Sequence, residues 1–270
     1  MLTEKDESVE NIKENERIDD LEINDLKIIQ KIDGFCYGID SVLLSDFAKN
    51  IKKNSNIIDL GTGTGILGFL LIAKSNVGNV TGVEIQTEIA DMAKRSILMN
   101  GLENKFEIIN CNIKDLDKKL QIDSYDAIIT NPPYKKMNSG KINDNEIKLI
   151  SRHEVKATLE DFIKVSFKML KDKGSLYMVH RAERLVDILH EMRTKKMEPK
   201  RIRFVYSNIN SDSKLVMIEA VKNGNSSVKI EEPLYVYNED GTYTDEILRI
   251  YNKKKGEILW VEHYILLQHQ

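Results

Sequence analysis

A chain of 270 residues with 41% hydrophobic composition can bury a full core, which argues against a disordered or low-complexity protein. No apolar run approaches the roughly 18 residues of a membrane span and the acidic amino terminus is unlike a signal peptide, so a membrane protein and a secreted one are disfavoured and a cytoplasmic location is expected. The formal net charge of −3 is uneven: residues 1–26 hold ten acids and three bases, whereas residues 164–203 hold twelve bases and five acids. In chain order, residues 1–20 read as an acidic mobile leader. Residues 21–32 alternate enough for a strand pair, and 41–49 read as a short helix over a ligand cleft, so 21–50 form an N-terminal strand pair and lid helix. From residue 56, strands at 57–60, 80–84, 106–110, 127–130 and 175–180 alternate with helices near 65–75, 87–100, 158–172 and 181–195. Two final strands fall near 201–206 and 214–222. This alternation predicts an α/β doubly wound sheet across a main domain at 51–250, with ligands at the carboxyl ends of its strands. The tail at 251–270 is unassigned; its apolar runs, which include Trp260, suit a terminal helix packed on the body.

Cys36 and Cys111 offer neither a disulfide framework nor a metal cluster, and the five histidines show no ligand spacing, so a reducing compartment and no metal are expected. Chemistry concentrates in two motifs. The first, from Ile57 to Gly68, reads as a buried strand, a turn with Gly61, Gly63 and Gly65, and a helix start. Such glycines let backbone amides approach a ligand closely. A dinucleotide fingerprint beginning at Gly61 and Gly63 wants its third glycine at position 66, which is Ile66, and a phosphate loop wants a Gly-Lys-Ser/Thr that is missing. Asp59 before the turn disfavours a pyrophosphate and suits a ligand bearing an amino group. The next strand ends at Glu84, followed by Ile85, and a carboxylate there can take both hydroxyls of a ribose.

The second motif, Asn131-Pro132-Pro133-Tyr134, follows an apolar strand. Its prolines stiffen the loop in an extended form, so its carbonyl oxygens and the Asn131 side-chain oxygen can accept from an amino group while Tyr134 stacks on a planar base. Together the two motifs resemble class I S-adenosylmethionine-dependent methyltransferases of the amino-methylating kind. The segment Gly34-Phe35-Cys36-Tyr37-Gly38-Ile39-Asp40-Ser41-Val42-Leu43-Leu44 is similar to the pre-motif of the bacterial tRNA1(Val) adenine-37 N6-methyltransferase family. So are Leu26 to Gln30 and Ser151-Arg152-His153-Glu154.

The resemblance implies a Rossmann-like sheet of seven strands with the last antiparallel, and S-adenosylmethionine as cofactor. Gly61, Gly63 and Gly65 would line its methionine portion, Asp59 would lie near its amino group, and Glu84 with Ile85 would hold the nucleoside. Asn112 stands where the family more often has aspartate and would contact the adenine. Gly38 and Asp40 would shape the lid. The expected reaction is in-line methyl transfer to an exocyclic amino group held by Asn131 and the Pro132 carbonyl, with Tyr134 fixing the ring plane. Pro133, Lys135 and His153 are further substrate candidates, and Lys195, Lys196 and Lys200 candidates for the phosphates of a tRNA anticodon loop. No protein partner is expected. Residues 136–150 read as a mobile loop beside the catalytic one. The glutamine methyltransferases of translation release factors use the same loop and remain an alternative, as does an RNA-binding protein without catalysis. A DNA adenine methylase would need a recognition domain for which little chain remains.

Overall fold

The computed structural model describes residues 12–33, 38–134 and 157–254. A short hairpin opens it: β1 (Glu16–Asp20) pairs antiparallel with β2 (Lys27–Lys31). This corrects the expected leader and strand pair, because residues 16–20 are strand rather than mobile arm. The reason is tertiary. The Glu16 carboxylate takes two bonds from the Arg95 guanidinium, at 2.6 and 2.8 Å, and these bonds hold Glu16 below the usual carboxylate range. The Ile29 amide donates to Ser96 Oγ and the Lys27 amide to Asn100 Oδ1, so one helix anchors both strands.

After the hairpin come α1 (Ile39–Phe47), β3 (Ile57–Leu60), α2 (Ile66–Ser75), β4 (Val80–Glu84), α3 (Thr87–Met99) and β5 (Phe106–Asn110). A 3₁₀ turn at Ile113–Lys118 leads to β6 (Tyr125–Thr130). Then follow α4 (Leu159–Met169), β7 (Leu170–Arg181), α5 (Leu185–Thr194), β8 (Met197–Tyr206) and β9 (Ser213–Lys222). Strands β3 to β9 are the seven expected, in the order β8-β9-β7-β6-β3-β4-β5. The last, β9, lies antiparallel between β7 and β8, and the others are mutually parallel. Two short strands, β10 (Lys229–Ile230) and β11 (Leu234–Tyr235), extend the sheet by pairing parallel to the outer edge of β8, and α6 (Asp245–Ile250) closes the described chain.

Period-two alternation sorts the strand residues into two cores. Ile57, Ile129, Tyr177 and Val179 pack with Val42, Leu43 and Phe69 on one face. Ile58, Ile128, Leu176 and Met178 pack with Phe162, Ile163, Ile188 and Met192 on the other. Helix α4 starts where expected, at a capping box made by Thr158 and Asp161, but ends at Met169 rather than 172. The chain then turns through Lys173, whose φ of 62° no helix admits, and the regular β7 ladder resumes at Ser175 against Ala127.

Candidate active site

The carboxyl ends of β3, β4 and β6 converge on the two motifs. Gly61, Gly63 and Gly65 have φ of 73°, 58° and 92°, all in the left-handed region that favours glycine, and this winds the turn tightly into α2. The Gly61 and Thr62 amides both donate to the Val83 carbonyl, tying the turn to β4. Glu84 is buried, and each of its oxygens already has a backbone donor: Gly63 N–H to Oε2 at 3.0 Å and Gln86 N–H to Oε1 at 2.8 Å. These bonds fix the carboxylate while leaving lone pairs for further donors.

Asp59 is fully buried at the end of β3. Its Oδ2 accepts from the Thr62 hydroxyl at 2.5 Å, and its Oδ1 has no partner. Burial pushes its carboxyl up to about 7; Glu84 nearby adds to the rise and the Thr62 bond opposes it. The Gly68 amide also faces the carboxyl and opposes the rise, so the acid is enclosed by protein directly beneath the glycine turn.

Asn131 follows β6, whose last residue is held by a bond from Thr130 Oγ1 to the Leu60 carbonyl at 2.8 Å. Pro132 is buried and Pro133 exposed. The Tyr134 hydroxyl lies 2.7 Å from Asp40 Oδ2 and 2.7 Å from Asn131 Oδ1, while Asn131 Nδ2 lies 3.4 Å from Ser41 Oγ. Burial, with Asp40 second, pushes the Tyr134 phenol well above its ordinary value, so it keeps its proton. Helix α1, whose N-cap is Gly38, thus brings Asp40 and Ser41 against the Asn131–Tyr134 loop.

Two residues absent from the sequence reading join this cluster. The His180 ring lies 5.1 Å from that of Tyr134, and the Arg181 guanidinium 5.5 Å from the Tyr134 ring centre. His180 is 2% exposed, its Nδ1 accepts from the Arg181 amide, and burial with Arg184 nearby lowers it to about 4. Its neutral form therefore carries the proton on Nε2. The signal available was position, since both residues end a strand of the parallel set. Beside them opens a cleft of about 630 Å³ lined by Pro132, Pro133, Phe162, His180, Arg184 and His190, with Glu160, Asp187 and Glu191 at its walls.

The remaining candidates are more scattered. Ile85 is 39% exposed next to Glu84, as a flat ligand face requires. Asn112 Oδ1 caps the 3₁₀ turn by accepting the Lys114 amide at 3.0 Å, so only its second lone pair stays available. Lys135, His153 and the loop at 136–150 lie outside the described residues, as does the tail from 255. Lys195 pairs with Glu160 at 2.8 Å, and Lys200 sits in a bulge of β8 and donates to the Asn225 carbonyl. Lys168, Lys171, Arg184, Arg193, Arg201 and Arg203 are ion-paired as well. Seven of the twelve bases of this stretch are thus ion-paired among the described residues.

The profile of the methyltransferase small domain family matches residues 35–198. The chain belongs to that family. Among its relatives, a tRNA1(Val) (adenine(37)-N6)-methyltransferase of Parabacteroides distasonis is 27% identical over 213 residues, covering 76% of this chain and 86% of the relative. A protein of the same name from a Flavobacteriaceae bacterium is 23% identical, covering 80% and 89%. Among solved structures, a predicted O-methyltransferase of Agrobacterium tumefaciens superposes with a TM-score of 0.64 at 18% identity, over 79% of this chain and 95% of that one. At that identity the superposition speaks for the fold alone. The matched region of this methyltransferase ends as β8 begins, so β9, β10, β11 and α6 lie after it.

Proposed function

We propose that this methyltransferase transfers a methyl group from S-adenosylmethionine to the N6 amino group of an adenine in a tRNA anticodon loop, adenine 37 by similarity to the relatives above. The observation that carries the reading is the Asn131-Pro132-Pro133-Tyr134 loop, which leaves β6 beside a glycine turn flanked by Asp59 and Glu84. The amino group of the cofactor would lie near Asp59, beneath the turn, and Glu84 would receive the ribose hydroxyls. The sulfonium of the bound cofactor supplies an activated methyl group, and no metal is needed.

An exocyclic amino group is a poor nucleophile because its lone pair is delocalised into the ring. Acceptance of its hydrogens by Asn131 and by the Pro132 carbonyl favours the tetrahedral nitrogen that develops during attack. Tyr134 holds the ring plane, a stacking contribution of about 1 to 3 kcal/mol per base. An unstacked loop adenine costs less to extract than a paired one, which favours tRNA over duplex DNA. The acid-walled cleft leaves phosphate contacts to bases away from the Asn131–Tyr134 loop, Lys195, Lys196 and Lys200 among them, and a cytoplasmic enzyme is the natural setting for this substrate.

The experiment is labelled-methyl transfer from S-adenosylmethionine to bulk tRNA lacking the modification, with nucleoside mass spectrometry. N6-methyladenosine formed by the wild type and lost in Asn131→Ala is expected. An unlabelled tRNA pool beside a labelled release factor would overturn the substrate and keep the loop's amide chemistry.

A further inference from the structure

We propose that Asp40 sets the orientation of the Asn131 carboxamide through the Tyr134 hydroxyl, which makes it a positioning residue for the methyl acceptor. The inference deepens the reading above and rests on Asn131 as the acceptor of the substrate's amino hydrogens. A proton count carries it. The Tyr134 oxygen lies 2.7 Å from Asp40 Oδ2 and 2.7 Å from Asn131 Oδ1, yet a phenol has a single proton to donate. Asp40 is the stronger claimant, because a hydrogen bond to a carboxylate is roughly twice as strong as one between neutral groups. The carboxylate is also well placed: it is 1% exposed, lies in the first turn of α1 and accepts the Ser41 amide on Oδ1 at 2.9 Å.

With the proton on the Asp40 side, the Tyr134 oxygen presents lone pairs to Asn131, and only the N–H end of a carboxamide can meet them. The two ends are nearly isosteric, so the group satisfies the network by turning end for end. Nδ2 then donates to Tyr134, and the oxygen takes the place 3.4 Å from Ser41 Oγ, a contact too long to hold it strongly. The free end of Asn131 becomes an acceptor, the polarity an amino group requires. In the opposite orientation the oxygen is consumed by Tyr134 and the exposed NH2 repels the substrate's own hydrogens. The series Asn131 N–H to Tyr134 O–H to Asp40 carboxylate runs in one direction, and each bond polarises the next.

The test is side-chain amide nitrogen–proton correlation spectroscopy on the full chain, with the Asn131 pair assigned by its loss in Asn131→Asp. The wild type should show an Nδ2 proton protected from exchange. Tyr134→Phe and Asp40→Ala should each abolish the protection, and Asp40→Asn, whose carbonyl still accepts from the phenol, should retain it. Equal protection in the wild type, Tyr134→Phe and Asp40→Ala overturns the proposal. In turnover on tRNA, each of those two variants should fall about tenfold with little change in KM, and the double variant no further than the lower single, the signature of one shared interaction. Multiplied losses would also overturn it. A wild type that leaves tRNA unmethylated while showing the protection pattern strikes the proposed substrate and leaves the relay standing.

Discussion

Asp59 holds a carboxyl where water cannot reach it, with one oxygen unpartnered and a folded value of about 7 against the ordinary 3.8. The folded state then binds this proton more tightly than the unfolded state does. Stability from the protonated group is fully present below the ordinary value and is lost as pH rises through 7. Asp59→Asn should melt with the wild type near pH 4 and increasingly above it toward pH 8, by several degrees, while binding S-adenosylmethionine more weakly. Parallel melting curves across that range would refute the assignment. Asn131→Ala should lower turnover by about a hundredfold or more, as removal of a transition-state hydrogen-bonding group does, with cofactor affinity by calorimetry nearly unchanged. Glu84→Gln should do the reverse, weakening cofactor binding in the same calorimetric measurement. The placement of these residues was legible in the sequence because the residue types leave few alternatives. A turn with three left-handed positions asks for glycines, and adjacent prolines after a strand fix a loop. His180 and Arg181 were marked only by their position at the end of a strand, because they reach Tyr134 from more than forty residues further along the chain.

Helix α2 shows how a motif residue can matter through packing instead of chemistry. A Cβ at Gly68 would sit 2.3 Å from Phe106 Cζ, and Phe106 cannot retreat, being 2% exposed and packed edge-on against Phe69 at 5.2 Å. Gly68→Ala should therefore cost about 1 to 3 kcal/mol in denaturant unfolding despite the better helix propensity of alanine. Element starts were readable where side chains announce them, as Thr158 and Asp161 do for α4. The end of α4 was not, since the break comes from the backbone at Lys173 rather than from a proline or glycine in the helix. The strand at Glu16–Asp20 escaped for a different reason. Its sequence, with three acids in five residues, reads like the acidic residues before it, and pairing with β2 together with the guanidinium of Arg95, distant in sequence, makes it a strand.

At the scale of the molecule, a sheet of seven strands with the last antiparallel was foreseeable from alternation and resemblance, whereas the electrostatic surface was not. Bases clustered in sequence meet acids from elsewhere, as Lys195 meets Glu160 and Arg203 meets Glu246. Reversing Lys195, Lys196 and Lys200 to glutamate should still weaken tRNA binding and flatten its salt dependence, by about one unit of slope for each phosphate no longer neutralised. An unchanged slope in a salt titration would move the RNA surface elsewhere. The chain after residue 198, beyond the matched family region, returns across the body. Arg201 donates to the Phe47 carbonyl at 2.8 Å and stacks over the Phe47 ring at 4.3 Å, joining the sheet to the helix that carries Asp40. The short strands on β8 have an effect out of proportion to their length. Bonds from the Glu231 amide to Ile202 and from the Val236 amide to Tyr206 occupy outward carbonyls in the second half of β8, the Tyr237 amide binds Ser207 just past its end, and the Arg203 side chain spans the interval by donating to the Glu232 carbonyl. A strand of that length left bare is a template on which a second molecule can add. Over Arg201–Tyr206 this flank is covered, and the opposite margin is β5, a five-residue strand that carries the charge of Glu107, so each margin of the sheet offers a second molecule little bare, uncharged strand.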